Sequence, residues 1–107
     1  MNKSNDQLND LFTVYVAGYP TTALAGEAGR KYRVNSENTW LPLPDFCNDV
    51  GAVFEWLSAL GCWTAAYNGV VYSVGLRTEG RLTAYGTDTS LARAAMIACL
   101  NAKGITS

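Results

Sequence analysis

Apolar residues recur with helical spacing in three stretches of the chain and with strand spacing in one. Leu8, Leu11, Phe12 and Tyr15 stand at i, i+3, i+4 and i+7, which sets them on one face of a first helix. That helix is expected to begin near Ser4 or Asn5, because Ser4 and Gln7 have the spacing of a capping box. Gly18 and Pro20 end it, and Asp6, Asn9, Asp10 and Thr13 are left for water. Val50, Val53, Phe54, Leu57 and Leu60 form the stripe of a second helix, from about Asn48 to Leu60. Asn48 or a neighbour caps it, Asp49 sits against the positive end of its dipole, and Gly61 stops it. The third, from about Ser90 to Lys103 with Asp88 or Thr89 as cap, is apolar nearly all round and rich in alanine. It is therefore expected to be buried on more than one side and to approach a sheet closely.

Between the second and third helices, Cys62 to Tyr85 alternates with the period of strands and is broken at Asn68-Gly69 and Glu79-Gly80. This reads as an antiparallel meander of three strands joined by two hairpins, with positive φ expected at Gly69. Two-residue turns would pair Tyr67 with Val70, Ala65 with Tyr72, Leu76 with Thr83 and Val74 with Tyr85. One face would then carry Trp63, Tyr72, Val74, Leu76 and Tyr85 under the third helix. The other would carry small residues such as Thr64, Ala66, Ser73 and Gly75. Low charge on both faces predicts cover on both. The expected fold class is α+β, an αβα sandwich of a single domain spanning 1–107, with element order α-α-β-β-β-α.

From Tyr19 to Leu43 the periodicity is lost, apart from a short strand expected at Lys31 to Val34. A connection of this length in a compact domain is uncommon and is a common place for binding residues. Arg30, Lys31 and Arg33 around Tyr32 form a basic cluster there. Trp40 beside two prolines has the character of an interface anchor or of a plug under the loop. Arg30, Lys31, Arg33 and Trp40 are the candidate binding residues.

Composition narrows the chemistry. A chain of 107 residues that is 49% hydrophobic and 16% charged can bury its own core. The net charge of −1 gives no positive field, so general nucleic-acid binding is not expected. No signal peptide or membrane span is read from the sequence, and cytoplasmic localisation is expected. Cys47, Cys62 and Cys99 are expected to be free, buried thiols. The absence of histidine removes the commonest general base and metal ligand, so no catalytic residues, metal or cofactor are predicted, and the protein is expected not to be an enzyme. Asp45 and Asp49, four apart, could present two carboxylates together, but their positions suit a turn and a helix start better.

The strings LNDLFTVYVAGYP, PDFCNDVGAVFEWLSAL and SLARAAMIACL, in that order around a tryptophan-led meander, resemble the phage ABA sandwich domain family. Phe46-Cys47-Asn48-Asp49 stands where that family starts a helix, and Arg93-Ala94-Ala95 stands in its closing helix; residues 21–39 are longer than the family pattern. The resemblance implies the layered fold and a phage setting, and it carries over no functional residue. The expected function is that of a phage-encoded accessory protein binding a host protein, such as a defence component, stoichiometrically. A binder of a phosphate-containing nucleotide is the first alternative and a homo-oligomeric structural module the second.

Overall fold

The computed structural model describes residues 4–19, 21–23, 30–33, 40–42 and 45–105, with side chains for 4–19 and 45–105. In chain order the elements are α1 (Asn5–Tyr15), β1 (Thr21–Ala23), β2 (Arg30–Arg33), β3 (Trp40–Pro42), a 3-10 turn (Phe46–Asn48), α2 (Val50–Leu60), β4 (Cys62–Tyr67), β5 (Tyr72–Thr78), β6 (Arg81–Asp88) and α3 (Leu91–Ala102). The class is α+β, with three helices and an antiparallel three-stranded meander in the expected order α-α-β-β-β-α. The stretch read as irregular adds a second antiparallel sheet, β1-β2-β3. Its middle strand covers most of the strand expected at Lys31 to Val34, and Val34 itself lies outside the described residues.

The start of α1 follows the capping-box reading. Gln7 N–H donates to Ser4 Oγ at 3.2 Å and Ser4 N–H to Gln7 Oε1 at 2.9 Å, which satisfies two donors that the first turn leaves free. The buried stripe runs one position further round than the apolar pattern suggests. Leu8 and Phe12 are fully buried, Tyr15 is half exposed, and Asn9 and Thr13, expected to face water, are buried. Asn9 reaches a distant segment: its Nδ2 donates to Asp45 Oδ1 at 3.0 Å, and its Oδ1 accepts from Cys47 N–H at 3.1 Å. Thr13 Oγ1 donates back to the Asn9 carbonyl at 2.7 Å. One amide side chain thus fastens α1 to the 3-10 turn and satisfies a buried backbone donor there.

Asp49 itself caps α2, accepting from Ala52 N–H at 3.3 Å. Val53 and Leu57 are fully buried, Val50 is exposed instead of lying in the stripe, and Phe54 meets Trp63 edge-on with ring centroids 4.5 Å apart. Ser90, not Asp88 or Thr89, caps α3, and Asp88 Oδ1 accepts from Ser90 N–H at 3.0 Å. The helix closes on Gly104 with φ 79°, where Ile105 N–H returns to the Leu100 carbonyl and Gly104 N–H to that of Asn101.

The meander departs from the expected register in two ways. Tyr67 pairs with Tyr72, leaving a four-residue connection in which Asn68 Oδ1 accepts from Val70 and Val71 N–H, both at 2.9 Å, and Gly69 has φ 93°. This slip of two takes Val70 and Val71 out of the ladder and leaves the side chains of β4 and β5 on their expected faces. The second turn, Glu79-Gly80, has the expected two-residue length and pairs Thr78 with Arg81. Beyond it, Thr83 is an extra residue: Arg77 pairs with Leu82, but Leu76 pairs with Ala84. That bulge exchanges the faces of the rest of β6, so Tyr85 points away from the helices and Gly86 points towards them.

Gly86 is where α3 meets the sheet. A Cβ there would lie 2.4 Å from the Ala94 carbonyl oxygen and 2.6 Å from Ala98 N. Val74, Leu76 and Ala84 line the same face, and α2 covers it beside α3 over Trp63. The core contains Val74, Leu76 and Ala84 with Leu8, Phe12, Phe46, Val53, Leu57, Met96, Cys99 and Leu100. The second cover expected for the opposite face is not found among the described residues. There Leu82 and Tyr85 are 53% and 61% exposed, and Thr64, Ala66 and Thr87 are exposed around a half-buried Gly75.

Candidate functional site

Strand pairing brings two of the candidate residues together. In the small sheet, β2–β3 pairing sets Arg33 opposite Trp40 and Lys31 opposite Pro42, while β1–β2 pairing sets Ala23 opposite Arg30. With a side-chain period of two, Lys31, Arg33 and Trp40 belong to one face of this sheet and Arg30 to the other. The candidate set is therefore not one loop-borne patch. The side chains of these four residues lie outside the described ones.

Asp45 and Asp49 are each engaged in local hydrogen bonds. Asp45 accepts from Asn48 Nδ2 at 2.7 Å and from Asn9 Nδ2 at 3.0 Å, bonds that favour the ionised form and lower its pKa. Asp49 is occupied as the cap of α2. Among the described residues, no group of three or more Cys, Asp or Glu side chains is placed to hold a metal ion.

Of the three free thiols, Cys47 and Cys99 are buried as expected and Cys62 is exposed at the start of β4. Burial raises the Cys47 pKa, with the nearby Arg93 charge opposing it, and pushes Cys99 up to about 12. Both are core thiols, Cys47 Sγ lying 3.7 Å from Met96 Sδ.

Asp88, expected as a cap of the third helix, instead joins Arg93 in tying three elements together. Arg93 Nε lies 3.2 Å from Asp88 Oδ2 with both side chains largely buried, and Arg93 Nη1 donates to Asn5 Oδ1 at 2.6 Å. A planar guanidinium can hold the end of β6, the start of α3 and the start of α1 at once. The Arg-Ala-Ala string is accounted for in the same way, the arginine as this clamp and the alanines as the surface α3 turns to the core.

No known family profile and no curated protein matches the chain, so it is not assigned to the phage ABA sandwich family. Its fold is similar to that in the 2.0 Å crystal structure of a phage protein from Bacillus cereus ATCC 14579, with a TM-score of 0.74 over 100% of this chain and 94% of that one, at 12% identity. At that identity the likeness is one of fold.

Proposed function

We propose that this chain is a small phage-encoded accessory protein that works by stoichiometric binding to a protein of the bacterial host, in the host cytoplasm, and not by turnover. The phage setting is supported by the shared fold with a phage protein and by the motif resemblance. The observation that carries the binding site is the register that sets Arg33 opposite Trp40 on β2 and β3. A tryptophan and an arginine side by side are the residue types most often found at the energetic centre of protein interfaces. The contact is therefore assigned to the small sheet, with Trp40 as anchor and Lys31 and Arg33 beside it.

Capture from a lysate of the natural host identifies the partner, a defence component being one class it would reveal. Titration of that purified partner then tests the site. Trp40→Ala is expected to raise dissociation and cost about 2 kcal/mol or more of affinity with an unchanged melting curve. Charge reversal at Lys31 and Arg33 is expected to slow association, and less so at high salt. Wild-type affinity in Trp40→Ala, or loss of its fold, would move the contact elsewhere.

A further inference from the structure

The two edges of the meander are treated differently. At the β6 edge, Asn101 Nδ2 from α3 donates to the Tyr85 carbonyl at 2.8 Å, and charged residues stand at both strand ends, Arg81 and Asp88. Among the described residues the β4 edge has none of these guards: Cys62–Tyr67 contains no charge and no proline, all six residues are exposed, and no described strand pairs with it beyond β5. Edge strands ordinarily carry such protection because their free N–H and C=O groups recruit another strand.

The backbone pattern says which groups are free. Asn68 N–H donates to the Val71 carbonyl at 3.3 Å, making Asn68 and Val71 a hydrogen-bonded pair in register with Tyr67 and Tyr72. Antiparallel ladders alternate, so Ala66, Thr64 and Cys62 turn their backbone groups to β5, and Trp63, Ala65 and Tyr67 turn theirs to the open edge. Those three are spaced symmetrically about Ala65, and the outer two are aromatics left 41% and 57% exposed.

From this we infer that β4 pairs with β4 of a second copy of the chain, antiparallel and centred on Ala65, to make a continuous six-stranded sheet across a two-fold axis. In that register Ala65 faces its own counterpart, and Trp63 of each copy faces Tyr67 of the other. All the outward-facing groups are used, in about six interchain hydrogen bonds. Like faces stay together, so both helical layers lie on one side. The absence of charge matters here, because a two-fold axis brings equal charges near each other; a strand fitted to a differently charged partner would carry the complement.

Sedimentation or light scattering over a micromolar concentration series tests this on the intact chain. The wild type is expected to reach twice its 11.5 kDa mass. Ala65→Pro is expected to remain at the single mass with an unchanged circular dichroism spectrum, since it removes an N–H that points to the edge and not to β5. A wild type that stays at 11.5 kDa throughout leaves the edge to a strand of another protein and overturns the inference. A dimer that survives Ala65→Pro overturns it as well. Should Ala65→Pro fail to fold, Ala65→Cys in a Cys62→Ser background decides: a disulfide-linked dimer on mild oxidation supports the pairing, and its absence refutes it.

Discussion

Gly86 and Asn9 show at single positions what this fold requires. The closeness of α3 to the sheet depends on Gly86 having no side chain, since the atoms it would strike are backbone atoms of Ala94 and Ala98, which no rotamer change can move aside. Gly86→Ala should therefore lift the helix off the sheet and destabilise by about 3 kcal/mol, read as a lowered midpoint in urea. Gly75→Ala is the control, because its closest contacts are the Leu82 Cδ1 and Thr64 Oγ1 side-chain atoms at 3.1 and 3.3 Å, which can yield. Equal losses at the two glycines would mean that the backbone approach is not the constraint. Asn9 is the polar counterpart: it lies on the core face of α1 because its amide is consumed by Asp45 and Cys47. Nothing local distinguishes it from Asn5 or Asp10, so its burial could not be read from the sequence around it.

At the level of elements, the bulge at Thr83 decides which half of β6 the helices see. Thr83 Oγ1 donates to the Leu76 carbonyl at 3.1 Å, which holds the extra residue in place. Deleting Thr83 joins Leu82 to Ala84 in a regular ladder with their faces unchanged, so that variant should still unfold cooperatively. Deleting Tyr85 instead brings Thr87 to the place of Gly86 against α3, and a cooperative transition should be lost. Thermal melts of the two deletions separate these cases, and identical behaviour would deny the bulge its part. The three helices and the three-stranded meander were legible because period and capping are local signals, whereas the α1 stripe is displaced by one position and β5 and β6 run Tyr72–Thr78 and Arg81–Asp88. The bulge was not legible, because an alternating strand looks the same with one residue skipped. The sheet of β1 to β3 was hidden for a different reason: strands of three or four residues are too short to establish a period. Lys31, Arg33 and Trp40 could be named from residue type alone, while the pairing of Arg33 with Trp40 needed that register.

For the molecule as a whole, α1, the 3-10 turn, α2 and α3 meet where two thiols are buried and one carboxylate is bonded, and this makes stability depend on pH at both ends. Asp45 has a pKa held below its ordinary 3.8, first by Asn48 and then by Asn9, so its contribution is present above that value and fades as pH falls through the lowered one. It is exposed, and the acid effect should be small. Cys47 and Cys99 act in the opposite direction. Burial raises both above the ordinary 9.0, Cys99 to about 12, so the unfolded chain releases these protons before the folded one does. Their contribution is complete below pH 9 and declines as pH rises from there towards 12. Urea unfolding across this range should show an alkaline decline in the wild type that is shallower in Cys47→Ala/Cys99→Ala, since alanine has no proton to lose. The acid limb should stay the same in that variant and flatten in Asp45→Asn. An alkaline limb unaltered by removing both thiols would place its origin outside the core formed by α1, α2 and α3.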